Sequence, residues 1–351
     1  MPLPSSGPIN FSEVNVELGL AATAQISLND AAVRTLFAVP SGAISMSNGY
    51  GKSNAFAGTI SSNQTNLNLR TWALANGWNG TSTATITVAE NVYVYSTSTA
   101  TPGMTIDGSW PGGITLVNQG FILGMGGTGG AAYLTSASPT AGSAGGNAIS
   151  LGVNCSIANN GYIAGGGGGG GAAYGGGGGG AGGGAGGACN LNGARSGGGA
   201  GGGPGSAGSN GIRGGQSISG ASLTSDSGGG GGRILPGTGG AGAARPFSAP
   251  AGGQGGGAGG GGGGADVSDP GGSQGGGGGA GGSANNNGSN APLVGGISYG
   301  GGGGGGWGTA GGSGGTTPGP TTAGGVGGRA ISLNGFTATI SGSGTRYGAT
   351  S

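Results

Sequence analysis

The chain is 351 residues long, and glycine fills 107 of those positions against an ordinary share of roughly 7%. Charged residues are 5% and the formal net charge is +1, so the high net charge that usually accompanies disorder is missing. Up to Gly130 the acids exceed the bases by two, and beyond it six arginines outnumber Asp226, Asp266 and Asp269 by three. An excess so thinly spread excludes the clustered Lys/Arg footprint of nucleic-acid binding.

Residues 1–54 read as the first unit. Val14, Val16 and Leu18 alternate, which predicts a short strand. Asn29 and Asp30 are helix caps for Ala31, Val33, Arg34, Leu36 and Phe37, with Pro40 as the stop. The chain then turns at Ser41–Gly42 into Ile44–Met46 and ends the unit at Asn48–Ser53. So few apolar residues need a neighbour for stability, which suits an anchor docking into a larger assembly. The anchoring candidates are Phe11, Val14, Val16, Leu18, Leu36 and Lys52.

Residues 55–123 predict a small β-rich attachment domain. Asn66 is the expected cap of a helix carrying Leu69, Trp72, Ala73 and Leu74, closed by Gly77. Thr81–Val88 and Asn91–Tyr95 alternate with strand period, and Ile106, Ile114, Leu116, Phe121 and Leu123 continue it. Trp72, Trp78 and Trp110 are read as core.

Residues 124–328 are glycine runs broken by short inserts, and 329–351 are a C-terminal β segment. Leu116–Gly124 is echoed by Ile157–Gly165, and Ala148–Leu151 by Ala330–Leu333. These are read as β segments where the chain passes between the proximal domain and the glycine runs. Collagen fails because Gly-X-Y is not kept. Polyglycine II is a threefold helix rising about 3.1 Å per residue with no internal hydrogen bonds. Lacking Cβ atoms, its strands bond laterally on every side and satisfy buried backbone groups. The predicted fold class is therefore mostly irregular and β. A small N-terminal mixed α/β anchoring region precedes a polyglycine II helix bundle with few conventional helices or strands.

Chemical motifs are weak. There is no histidine, the commonest general base and metal ligand. Gly271–Gly275 and Gly311–Gly315 fit G-x-S-x-G, but the pattern needs a strand–turn–helix and a histidine partner. Gly51-Lys-Ser53 resembles a P-loop end whose first glycine would fall at Met46. Asp266 and Asp269 are too few for a calcium site. No catalytic residue, metal site or cofactor is expected, and no enzyme. Cys155 and Cys189 are read as reduced small hydrophobes, with a bridge between them as the alternative. No apolar run approaches the roughly 18 residues of a membrane span, and no secretory signal is apparent.

The Asn118–Gly124 run, Asn160–Gly165 more loosely, Gly300–Gly308 with its Trp307, and Gly327-Gly-Arg-Ala-Ile-Ser332 resemble the tail-fibre tip adhesins of T-even-like phages. The resemblance covers Asn66 to the C-terminus. It implies a polyglycine II sandwich whose distal loops bind a bacterial outer-surface protein or polysaccharide. Phe11–Gly19, Ile26–Arg34 and Ser41–Ser53 instead resemble an opening block of diverse phage structural proteins. The implied partners are other tail, fibre or baseplate proteins through residues 1–123, with no nucleic acid and no membrane insertion. The implied location is the virion, after synthesis in the host cytoplasm. The loop candidates for receptor contact are Tyr133, Leu134, Arg195, Ile212 and Arg213, then Arg233, Ile234, Leu235, Arg245 and Phe247, and finally Leu293, Tyr299 and Trp307. Arginine forks onto carboxylates or phosphates, and aromatic rings stack on apolar or sugar faces. A structural spacer and an ice-binding bundle are the competing readings.

Overall fold

The computed structural model describes residues 2–133, 138–173, 175–191, 194–196, 198–211, 213–218, 221–233, 239–242, 260–261, 282, 286–291, 300–315 and 322–351. Its first element corrects the strand expected over Val14–Leu18. Phe11–Glu17 is a helix, α1. Asn10 Oδ1 accepts from Glu13 N at 2.9 Å, and Asn10 N donates to Glu13 Oε2 at 2.9 Å. This reciprocal cap satisfies two amide donors that a helix start leaves open, which outweighs an alternation of only three apolar residues. Helix α2 (Ala31–Phe37) lies where expected, closed by Ala38 in the left-handed region at φ 58°. A turn of 3₁₀ helix at Met46–Gly49 follows. Leu3, Ile9, Val14, Val33, Leu36 and Phe37 form the core of this block. Glu17 Oε1 accepts from Ser53 Oγ and Asn54 N, fixing the exit of the block.

From Phe56 the chain winds as a three-sided parallel β-coil. The first turn is β1 (Phe56–Ile60), β2 (Gln64–Thr65) and β3 (Leu67–Asn68), and then helix α3 (Leu69–Ala75). Asn68, not Asn66, caps α3 by accepting from Thr71 N. Asn66 sits at φ 48° and bonds Thr97 instead. Gly77, at φ +98°, follows the cap residue Asn76 as the expected closing residue. The second turn is β4 (Ala84–Val88), β5 (Tyr93–Tyr95) and β6 (Met104–Ile106). The third has β7 (Ile114–Asn118) and β8 (Phe121–Leu123), then an insertion holding β9 (Ala132–Tyr133), then β10 (Ile149–Leu151). The fourth has β11 (Cys155–Asn159) and β12 (Tyr162–Ala164). A longer insertion follows, with β13 (Cys189–Leu191), β14 (Ala194–Ser196), β15 (Arg213–Ile218) and β16 (Ala221–Asp226), before β17 (Ile331–Ser332) completes the turn. The fifth turn is β18 (Ala338–Ser341) and β19 (Thr345–Tyr347), with Thr350 bridging to Ile331.

The three sheets therefore run β1-β4-β7-β11-β18, β2-β5-β8-β12-β19 and β3-β6-β10-β17, all parallel. The echo in the sequence is two neighbouring rungs in register: Leu116 pairs Ile157, Asn118 pairs Asn159, and Phe121 pairs Tyr162. Ile149 likewise pairs Ile331. Inward positions stack Ile86, Leu116 and Ile157 on the first face, and Met104, Ile149 and Ile331 on the third. Trp78 and Trp110 are buried and stacked at 4.2 Å, with Trp72 packed beside them, as expected of core. The β-rich unit is thus not confined to 55–123, because strands from 149–164 and 331–347 belong to the same sheets. Within residues 124–328, β10 to β12 lie where the echoed segments are read as β, and β9 and β13 to β16 are sheet beyond that expectation.

The inserted glycine segments carry neither helix nor ladder over most of their described length. Their amides bond sideways with a period of three. Gly124, Gly127 and Gly130 donate to Ala164, Gly167 and Gly170, while Gly126, Gly129 and Ala132 donate to Gly182, Ala185 and Ala188. Gly166, Gly169 and Ala172 donate in the opposite sense to Gly146, Ser143 and Thr140. Positions three apart thus address the same neighbour, and adjacent positions different ones. The interior needs no side chains because its backbone groups satisfy one another.

Candidate functional site

The lattice has a near end, at the β-coil, and a far end. Gly124 follows β8 and is near; Ala131, whose carbonyl accepts from Thr140 N, is far. Every later segment can be placed against this first one. Gly177 bonds Gly130 and Gly126 bonds Gly182, so 175–182 runs inward. The chain turns at Gly182 and Gly183, both at positive φ, where a side chain would be strained. It runs outward again to β13, which pairs β9 in parallel. Gly228 bonds Gly187 and Gly231 bonds Gly184, so 228–233 runs inward. Gly302 bonds Gly171 and Gly308 bonds Gly165, so 300–308 runs inward too.

This alternation sorts the sequence-derived contacts. Tyr133 ends β9 at the far end, and Arg195 lies in the far hairpin β13–β14. Arg213 opens the hairpin β15–β16, opposite Asp226; β13 and β14 pack against β15 and β16 there. Leu134, Ile212, Ile234, Leu235, Arg245, Phe247, Leu293 and Tyr299 lie outside the described residues. Their described flanks are informative all the same. Ala241 accepts from Gly211 N, at the far end of the described segment 239–242. Ala291 bonds Ser313, and Gly300 accepts from Gly315, so Ala291 and Gly300 both lie at the far end. Sequence reasoning missed the hairpin β15–β16 as a far-end element. Its signal was Ser219–Gly220, a turn pair between short β-prone stretches.

Arg233 and Trp307 belong elsewhere. Both are buried at the near end, and neither offers surface to a partner. Trp307 packs with Leu123, Ala164 and Ala181, beside Tyr347. Arg233 lies 4.5 Å over the Tyr95 ring and donates to Gly182 O, Ser96 O and Met125 Sδ. Burial pushes its guanidinium below the usual arginine pKa, partly opposed by Tyr95.

In the N-terminal block, Val14 and Leu36 are spent on its own core and Leu18 packs against it. The Lys52 carbonyl accepts from Leu3 N. Phe11 and Val16 remain open, at 41% and 59% exposure. Val16 lines a groove of about 310 Å³ with Pro2, Leu3, Pro4, Ser12 and Glu13. Cys155 is free and buried, so no bridge joins it to Cys189. Gly311–Gly315 lies in a lattice segment, where Ser313 N bonds the Asn290 side chain. Among the described residues no group of three or more His, Cys, Asp or Glu is placed to hold a metal, and no helix is long and apolar enough to cross a membrane.

Among the described residues, the architecture is a parallel β-coil of three sheets that carries a lattice of laterally bonded glycine segments. Residues 55–351 match the family model of the phage tail fibre adhesin Gp38, and the chain belongs to that family. It is therefore a tail adhesin and a component of the virion tail; residues 1–54 lie outside the matched segment. A similar solved structure is the gp37–gp38 adhesin tip complex of the bacteriophage S16 long tail fiber, at 21% identity, 99% coverage of this chain, 100% of that chain and a TM-score of 0.43. No curated protein matches the chain.

Proposed function

We propose that this adhesin recognises a bacterial outer-surface protein or polysaccharide through the far-end connections of its glycine lattice, without enzymatic activity. The observation that carries this reading is the inward–outward alternation of the runs. Among the described residues it collects Tyr133, Arg195 and Arg213 at one end and leaves Arg233 and Trp307 at the other. The runs themselves are polyglycine II strands, supported by the three-residue period of their hydrogen bonds. Uniform backbone already committed to lateral bonding distinguishes no partner, whereas arginine and aromatic side chains are the types enriched at binding hot spots. Residues 1–54 anchor the protein to another tail protein, with Phe11 and Val16 as the exposed contacts.

An alanine scan scored by adsorption to host cells tests the receptor reading. Losses of about 30-fold, the size of a hot-spot residue, are expected in two or three far-end segments with the melting temperature unchanged. A scan in which no far-end substitution weakens adsorption makes the lattice a spacer.

A further inference from the structure

Arg233 makes contacts that packing alone does not explain. It closes an inward glycine segment, bridges to Pro204, and is 6% exposed. A guanidinium is costly to bury unless its donors are met, and here they meet two carbonyl oxygens and a thioether. Nε and Nη2 both reach Gly182 O, at 3.1 and 2.9 Å. Nη2 also reaches Ser96 O at 3.1 Å and Met125 Sδ at 2.9 Å. Below it lies the face of Tyr95, a favourable place for a desolvated cation.

These partners belong to separate parts of the molecule. Tyr95 ends β5 of the β-coil, and Ser96 opens the connection to β6. Met125 begins the first insertion. Gly182 sits in the near-end turn of the second insertion, at φ +98°, and its carbonyl accepts from Gly126 N as well as from the arginine. Ser96 is itself buried, with its hydroxyl donating to the Ser98 and Thr101 carbonyls. One planar, forked cation therefore ties the β-coil to both insertions at the place where the lattice leaves it. Lysine carries the charge without the fork.

We propose that Arg233 is a positioning residue for receptor recognition: it pins the near end of the lattice to the β-coil and so sets the direction in which the far-end segments face. This rests on the reading that those segments contact the receptor. The side chain touches no receptor and acts through the orientation of the segments that do.

The test places spin labels at Thr339→Cys, exposed on β18, and Ser289→Cys, exposed on the lattice, in a Cys189→Ser background of the full chain. The distance distribution between them is measured with Arg233 present and in Arg233→Lys, Arg233→Met and Tyr95→Leu. A single narrow distance is expected with arginine, a broad or shifted one with methionine, and partial recovery with lysine. Tyr95→Leu removes the ring but leaves the carbonyl contacts, so it yields an intermediate breadth even if the methionine variant fails to fold. Particles carrying Arg233→Met should adsorb about tenfold more slowly, while the purified adhesin binds cells within about twofold of normal. A narrow, unshifted distance in the methionine or leucine variant overturns the proposal. Broadening, together with far-end alanine variants that adsorb normally, would leave the pin intact and refute the receptor reading instead.

Discussion

At Gly168 a Cβ would stand 1.8 Å from the carbonyl oxygen of Gly325, far inside contact distance, with backbone rather than a yielding side chain in the way. Valine there has to push neighbouring runs apart, and each displaced buried group loses a partner at about 1–3 kcal/mol. Ser209 lies in the same lattice but is exposed, and surface substitutions usually stay within about 0.5 kcal/mol. Thermal melting should therefore show Gly168→Val sharply destabilised and Ser209→Val close to unchanged; equal melting temperatures would count against a packed lattice. Cys155 gives a different single-residue test. Burial in the coil core pushes its thiol up to about 11. The folded state thus holds the thiol proton more tightly than the unfolded chain does. The associated stability is complete below the ordinary thiol range of roughly 8.5 and is lost as pH rises toward about 11. Chemical denaturation from about pH 8 to about pH 11 should show that loss, and Cys155→Ala should reduce it.

At the scale of elements, the corner between the first and second sheets is held by a short asparagine ladder. Asn118 Nδ2 donates to Asn159 Oδ1 at 2.7 Å and to Tyr162 O at 3.2 Å, and Asn159 Nδ2 donates onward to Thr345 O at 3.3 Å. Replacing Asn159 by leucine keeps the branched shape but removes the acceptor of Asn118 Nδ2 and the donor to the Thr345 carbonyl. A loss of about 1–3 kcal/mol per unmet group is expected, seen as a lower urea midpoint with faster amide exchange in β18 and β19. The rungs were half legible. Alternation marked Ile86, Leu116 and Ile157 as strand residues, and the echo of Leu116–Gly124 in Ile157–Gly165 marked two rungs as equivalent. Their stacking into a coil was not legible, because the insertions at 124–148 and 165–330 break any constant repeat length. Helix α1 was hidden for a local reason: its cap, Asn10 with Glu13, lies outside the alternating trio that suggested a strand.

For the whole molecule, composition revealed a glycine framework and the varied connections between its runs. It did not reveal which connections share an end, since that depends on where each run reverses. Trp307 and Arg233 show the cost of this gap: both look like exposed contact residues in sequence, yet both sit in the joint with the β-coil. The N-terminal block poses a separate question, having its own small core and two open apolar side chains, Phe11 and Val16. Deleting residues 1–54 should leave a soluble fragment that binds cells but is missing from particles. Its presence in purified virions at normal copy number would place the anchor elsewhere.

The period of three in the lattice hydrogen bonds carries a consequence for how the length of such a run can vary. One extra residue in a run turns every later amide by about 120° about the strand axis and aims each at the wrong neighbour. Three extra residues restore every direction and merely move the next connecting segment outward by about 9 Å. Changes in the length of a run are therefore expected to be tolerated in steps of three residues, and the steps between them to cost the lateral hydrogen bonds of every later amide.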